Sequence, residues 1–129
     1  MTVTIANSNF LPASQPAPSW QPRPWGASQA LMRHDRFKVR HLVISPGGTL
    51  RLRSHLHHAG HWLVVSGSGR VTIEDETTEL FESQSIDIAI GLRHRIENHG
   101  KVDLHLIEVQ SGAYLGEDDI CFHPIQQPG

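Results

Sequence analysis

Histidines carry the chemistry most plainly available to this chain. His55, His57 and His61 stand at H-x-H-x3-H spacing in the run His55-Leu56-His57-His58-Ala59-Gly60-His61-Trp62, and a fourth, His94, follows the turn at Gly91. Neutral imidazole is the commonest side-chain metal ligand. Side chains alternate across a strand, so on extended backbone His55 and His57 project from one face and can share an ion, whereas a helix would splay them apart. Ten of the 129 residues are histidine, so close pairs also arise by accident, and an H-x-H pair alone is a weak signal. The flanks strengthen it. Val39 to Leu52 reads as strand, Pro46-Gly47-Gly48 turn, strand, and Trp62 to Val65 is another β-rich run closed by a glycine turn. The histidines are thus expected at the facing ends of two strands.

From residue 37 onward, short strands alternate with turns and no segment shows helical periodicity, which predicts an all-β sandwich or barrel. Candidate strands are Phe37 to Ser45, Leu50 to His57, Trp62 to Ser66, Gly69 to Glu74, Thr78 to Phe81, Ser85 to Ile90, His94 to Asn98 and Asp103 to Gln110. That number suffices for a jelly roll. The length fits one domain, over 25–129. Residues 1–24 hold Pro12, Pro16, Pro18, Pro22 and Pro24, and are expected to form a partly disordered arm able to dock Trp20 or Trp25.

Composition narrows the function classes. A net charge of −2 without a basic cluster gives nucleic-acid binding no electrostatic support. The one cysteine, Cys121, permits no internal disulfide; no apolar run is long enough to span a membrane, and no secretory signal is visible. The expectation is a protein of the cytoplasm that engages neither membrane nor nucleic acid.

Parity adds an inference about partners. If His55 and His57 point inward, Arg51 and Arg53 do too, and Leu50, Leu52 and Leu56 point outward. An outward apolar row needs cover, from the arm or from a second subunit, which predicts a homodimer with this strand near the interface. An inward Arg53 either pairs with Glu108 or Asp87 or awaits an anion such as phosphate. The remaining groups read as structural: His34, His41, His99 and His123 lack partners at ligand spacing, His105 has opposite parity to Glu108, and Glu117-Asp118-Asp119 reads as a solvated turn.

Several runs, in order, resemble the cupins, and within them the C-terminal domain of type II mannose-6-phosphate isomerases, over roughly residues 22–120. Arg23-Pro24-Trp25-Gly26 is similar to that family's R-P-W-G opening, and His55 to Trp62 to its H-x-H-R-x-E-H-W box. Glu82 to Gly100 resembles E-x-x-S-x-Y-I-P-x-G-x-x-H-R-L-x-N-x-G, and Ile107 to Ile120 follows I-E-V-Q-S-G-x-Y-L-G-E-D-D-I almost residue for residue. The resemblance implies a double-stranded β-helix, one divalent transition metal on His55, His57, His94 and His61, and interconversion of mannose 6-phosphate and fructose 6-phosphate. Zinc, nickel, iron, manganese and cobalt all accept such imidazoles. The departures lie in the polar site: Gly60 stands for the box's glutamate, His58 for its arginine, Arg53 for a glutamine, and Asp87 for a tyrosine.

Isomerisation through an enediol needs a base and an electrophile. With Gly60 replacing glutamate, the candidate bases are Glu108, Asp87 or a histidine, and Arg53 or Arg93 would anchor the phosphate of a sugar-phosphate substrate. Two alternatives stand beside this reading: a non-catalytic cupin that binds a sugar phosphate or other small anion, and a metal-dependent cupin dioxygenase.

Overall fold

The computed structural model describes residues 19–116 and 119–123. Up to residue 18, the expected arm lies outside the described residues. Eleven strands follow in order: β1 (Gln21–Arg23), β2 (Gly26–Arg33), β3 (Phe37–Ile44), β4 (Thr49–His55), β5 (His58–Ser66), β6 (Gly69–Ile73), β7 (Glu76–Leu80), β8 (Ser85–Ile88), β9 (His94–Glu97), β10 (Leu104–Gly112) and β11 (Ile120–Phe122). They form two antiparallel sheets, ordered β1-β2-β3-β10-β5-β8 and β11-β4-β9-β6-β7. This is the jelly-roll, or double-stranded β-helix, expected of the sequence. No helix among the described residues is long and apolar enough to cross a membrane.

Eight strands match the expected runs, and β1, β2 and β11 are additional. β1 forms within the proline-rich stretch because it is an edge strand, paired only with β2, where Pro22 needs no ladder partner on its open side. Trp20 stands edge-on to His41, and Trp25 packs against the core.

The core occupies one end of the barrel. Along β10 the inward row runs Leu104, Leu106, Glu108, Gln110, with the alternation of a half-buried strand. Register sets each of these beside an equivalent residue of β3 and β5: Leu104 beside Ile44, Leu106 beside Leu42 and Val64, Glu108 beside Arg40 and Trp62, Gln110 beside Lys38 and Gly60. The apolar layers are sealed from the other sheet by Leu50, Val71, Leu80 and Ile96, all buried. Burying each such side chain is worth roughly 1.5–3 kcal/mol. The layers beyond Glu108 are polar, so the opposite end of the barrel is where polar chemistry gathers.

Two sequence expectations about β4 are corrected. The pairing of β4 with β9 slips between Leu50 and Arg53, so that Leu50 faces Ile96 and Arg53 faces His94. A bulge of this kind resets parity, and Leu50 enters the core, only 2 % exposed. The outward apolar row from which an interface was inferred does not form, although Leu56 remains exposed. The strand also stops at His55; Leu56 and His57 form the bend into β5, which begins at His58. His57 therefore does not share a strand face with His55.

Candidate metal centre and basic cavity

The bend exchanges the second histidine. His55 closes β4 and His58 opens β5, both buried, with ring centroids 4.1 Å apart. The carboxylate of Asp119, just ahead of β11, joins them, and one ligand atom from each of the three lies within 4.8 Å of the others. Asp119 is not the solvated turn expected of its acidic neighbours. Its carboxylate is buried, accepts from the His57 backbone N–H at 2.9 Å and from His57 Nδ1, and lies 3.0 Å from His58 Nδ1. Its neighbours Glu117 and Asp118 fall outside the described residues.

Two atoms of this group lack any hydrogen-bond partner: His55 Nδ1 and His58 Nε2, both buried. Buried polar atoms are nearly always satisfied, and exceptions call for an explanation such as an ion. Their basicity fits that explanation. Burial, then the neighbouring His58 and His94, lower His55 to about 3. Burial also lowers His58, against the opposing pull of Asp119, and His94. All three rings are thus neutral at pH 7, the form that ligates metal. A carboxylate with two imidazoles is moreover a donor set that first-row divalent ions accept.

The four histidines expected as ligands separate. His55 stays in the group. His94 is buried beside it, ring centroids 5.3 Å apart, with Nδ1–H donating to the Leu92 carbonyl at 3.0 Å, but it lies outside the ligand cluster itself. His57 points outward, its side chain 58 % exposed, and holds Asp119 from behind. His61 has the outward parity of β5 and pairs with Asp87 directly across on β8, whose side chain is 88 % exposed. Asp87, proposed as a base, is accordingly on the surface.

Glu108 lies inside, but is occupied. Arg40 donates to one oxygen from Nε at 2.8 Å and from its terminal nitrogen at 2.6 Å, and Trp62 Nε1 donates to the other at 2.8 Å. Burial pushes this carboxyl up; the Arg40 charge and the two donors outweigh it and hold Glu108 at about 2. Arg93, the second phosphate candidate, grips Glu74 with its backbone N–H at 2.9 Å and Nε at 3.1 Å, and is not part of the cavity wall.

His55 and His58 form part of the wall of a cavity of about 450 Å³. Five cationic side chains also line it, Arg23, Lys38, Arg40, Arg51 and Arg53, with no carboxylate among the lining residues. Sequence reasoning had found Arg51 and Arg53 by parity. It had no signal for Arg23, Lys38 and Arg40, which only the pairing of β1, β2, β3 and β10 brings to the same opening.

A cavity of this kind at the polar end of a jelly roll invites comparison with known proteins. The family model described as mannose-6-phosphate isomerase C-terminal matches residues 19–123. The chain belongs to this family. Among curated relatives, the xanthan biosynthesis protein XanB of Xanthomonas campestris is 53 % identical over 98 residues, covering 76 % of this chain and 21 % of that protein. A mannose-1-phosphate guanylyltransferase of Sinorhizobium fredii is 52 % identical over 98 residues, covering 76 % of this chain and 19 % of its own. The chain thus spans about a fifth of the length of the curated relatives it matches.

Solved structures agree on the fold. The capsular polysaccharide assembling protein CapF of Staphylococcus aureus superposes with a TM-score of 0.71 at 27 % identity, over 88 % of this chain and 36 % of its own. KdgF from Halomonas superposes at 0.71 with 18 % identity, over 78 % of this chain and 89 % of its own. The cupin domain of Schizosaccharomyces pombe Cnp3 also superposes, with a TM-score of 0.66 at 15 % identity over 73 % of this chain and 68 % of its own, so the fold is a cupin, as the resemblance implied.

Proposed function

We propose that this domain binds a sugar phosphate in the basic cavity, beside one divalent transition metal, and interconverts mannose 6-phosphate and fructose 6-phosphate. One observation carries the reading: a wall of five cations shares one cavity with His55 and His58, whose neutral rings each keep a buried nitrogen without a hydrogen-bond partner. Cationic forks match phosphate oxygens, and a partly enclosed site strengthens the attraction. The family description and the guanylyltransferase relative support mannose phosphates as the substrate class.

His55, His58 and Asp119 would hold the metal, and His57, bonded to Asp119 from outside, would orient that carboxylate. Bound there, a divalent ion supplies Lewis acidity toward a sugar oxygen. The chain's own part is to bind the phosphate with the arginine wall and to screen the sugar from bulk water with Trp25 and Leu115, which line the cavity. Glu108 is assigned a scaffold role: by fixing Arg40 and Trp62 it keeps the floor of the polar end in place.

A second reading, binding without turnover, is favoured by a specific observation. Isomerisation needs a proton acceptor between C1 and C2. Glu108 is held ionised with both oxygens engaged, Asp87 lies on the surface, and the inward position opposite Gln110, where the family box has glutamate, is Gly60. A ¹H NMR time course of mannose 6-phosphate in D2O, metal-free and then with zinc, nickel, cobalt or manganese, separates the two. Metal-dependent fructose 6-phosphate with deuterium at C1 or C2 supports the isomerase. Saturable perturbation of the sugar signals without conversion supports the binder, and neither effect would remove both.

A further inference from the structure

The segment around β11 joins the ligand cluster to the cavity wall. Asp119 belongs to the ligand cluster at one end. Three residues later Phe122 pairs with Arg53 across β11 and β4, and its ring carries two guanidinium groups, Arg51 at 4.8 Å and Arg53 at 5.1 Å from the centroid. Two like charges on one exposed ring are an unusual arrangement, because each such contact is worth only about 0.5–1 kcal/mol and the charges repel one another.

The other arginines of the wall are spoken for. Arg40 is bonded to Glu108, and Arg23 donates to Ser28 Oγ at 3.1 Å and Gln21 Oε1 at 2.9 Å. Arg51 and Arg53 differ. Among the described residues neither forms an ion pair with a carboxylate, and Arg53 Nε donates to the Arg51 carbonyl at 3.1 Å. Contact with the Phe122 ring restricts each planar fork, which leaves less freedom to lose when a tetrahedral oxyanion takes its N–H groups.

We propose that Arg51 and Arg53, held against Phe122, form the phosphate subsite of this cavity, with the sugar lying between them and the His55 end. The proposal rests on the sugar-phosphate reading above. Along β4, Arg53 and His55 are two residues apart, about 7 Å of strand rise, which places the phosphate at the end of the carbon chain remote from the imidazoles. A 6-phosphate of a hexose has that form. Phe122 touches no phosphate itself; it is a positioning residue for the two forks.

Calorimetric titration of the full chain with inorganic phosphate, and separately with zinc, tests this without requiring turnover. Arg51→Gln and Arg53→Gln should each weaken phosphate about tenfold or more, the scale of one lost charge-assisted contact. Phe122→Leu should weaken it several-fold while Phe122→Trp retains it, and zinc affinity should be unchanged in all four, showing that Asp119 and β11 remain docked. Melting temperatures close to wild type verify folding, and Arg53→Lys serves if Arg53→Gln fails to fold. Phosphate binding at wild-type affinity in both arginine variants, or none in the wild-type protein, would overturn the subsite. Binding that depends on these arginines in a protein that does not isomerise mannose 6-phosphate would refute the isomerase reading and leave the subsite standing.

Discussion

Replacing Glu108 by glutamine should unfold the protein more readily rather than simply slow a reaction. The carboxylate is buried, and its partners Arg40 and Trp62 are buried or nearly so. Glutamine still accepts from Trp62 but leaves the Arg40 charge without a counter-charge, and removing one member of a buried pair costs about 3–5 kcal/mol. Linkage gives the same scale independently. The folded-state value of about 2 lies below the ordinary 4.5, and a shift of that size corresponds to roughly 3 kcal/mol. Because the folded value is depressed, this stability is fully present above pH 4.5 and is lost as pH falls from there toward 2. Urea unfolding followed by tryptophan fluorescence at pH 7 should show Glu108→Gln less stable by about 3 kcal/mol, a fall in Tm on the order of 10–15 °C for a domain of this size. The gap between wild type and variant should close as pH drops through that window. A double variant Arg40→Met, Glu108→Leu should recover much of the loss, since an apolar pair needs no compensation. A stable Glu108→Gln protein with a constant gap across pH would refute the scaffold role and return Glu108 to the list of bases.

Four other outcomes follow from the geometry. His58→Ala should abolish zinc binding measured by titration, and His57→Ala should only weaken it, the reverse of what strand parity from His55 would give. Metal-free protein should lose stability as pH falls below 6.5, because His55, His58 and His94 have folded values lowered by burial; thermal melts at pH 7 and 5 should show it, with zinc giving the larger rise in Tm at pH 7. Gly60→Glu is expected to fold, since a Cβ there meets only Ile88 side-chain atoms at 3.8 Å, and if a missing base limits turnover the variant should isomerise mannose 6-phosphate faster than wild type in the NMR time course. Asn98→Ala should cost about 2–3 kcal/mol in urea unfolding, since the buried amide donates to the Ile44 and Val102 carbonyls at 2.8 and 2.9 Å and accepts from Gly100 at 2.9 Å.

The chain's local patterns were enough to determine its class. Alternating apolar residues in β3 and β10 and glycine turns at close intervals announce a two-sheet β fold, because side-chain direction on a strand depends only on parity and turns only on a few dihedral angles. The motifs likewise identified the family and drew attention to His55 and His94. Which residues meet in the site was another matter. Parity carried from His55 to His57 fails at a bend that no local signal marks, and parity carried from Leu50 to Arg53 fails at a bulge. Asp119, 61 residues beyond His58, joins the histidines through the pairing of β11 with β4. The polar end of the barrel is a matter of register: Lys38 and Arg40, Gln110 and Glu108, Gly60 and Trp62 read separately as ordinary strand positions, and become one layered floor only when three strands align. A sequence fixes which way a side chain points relative to its neighbours in the chain. Which side chains it faces is decided by long-range strand pairing, and so the charge of Glu108 and the unbonded nitrogens of His55 and His58 acquire their meaning only in the folded protein.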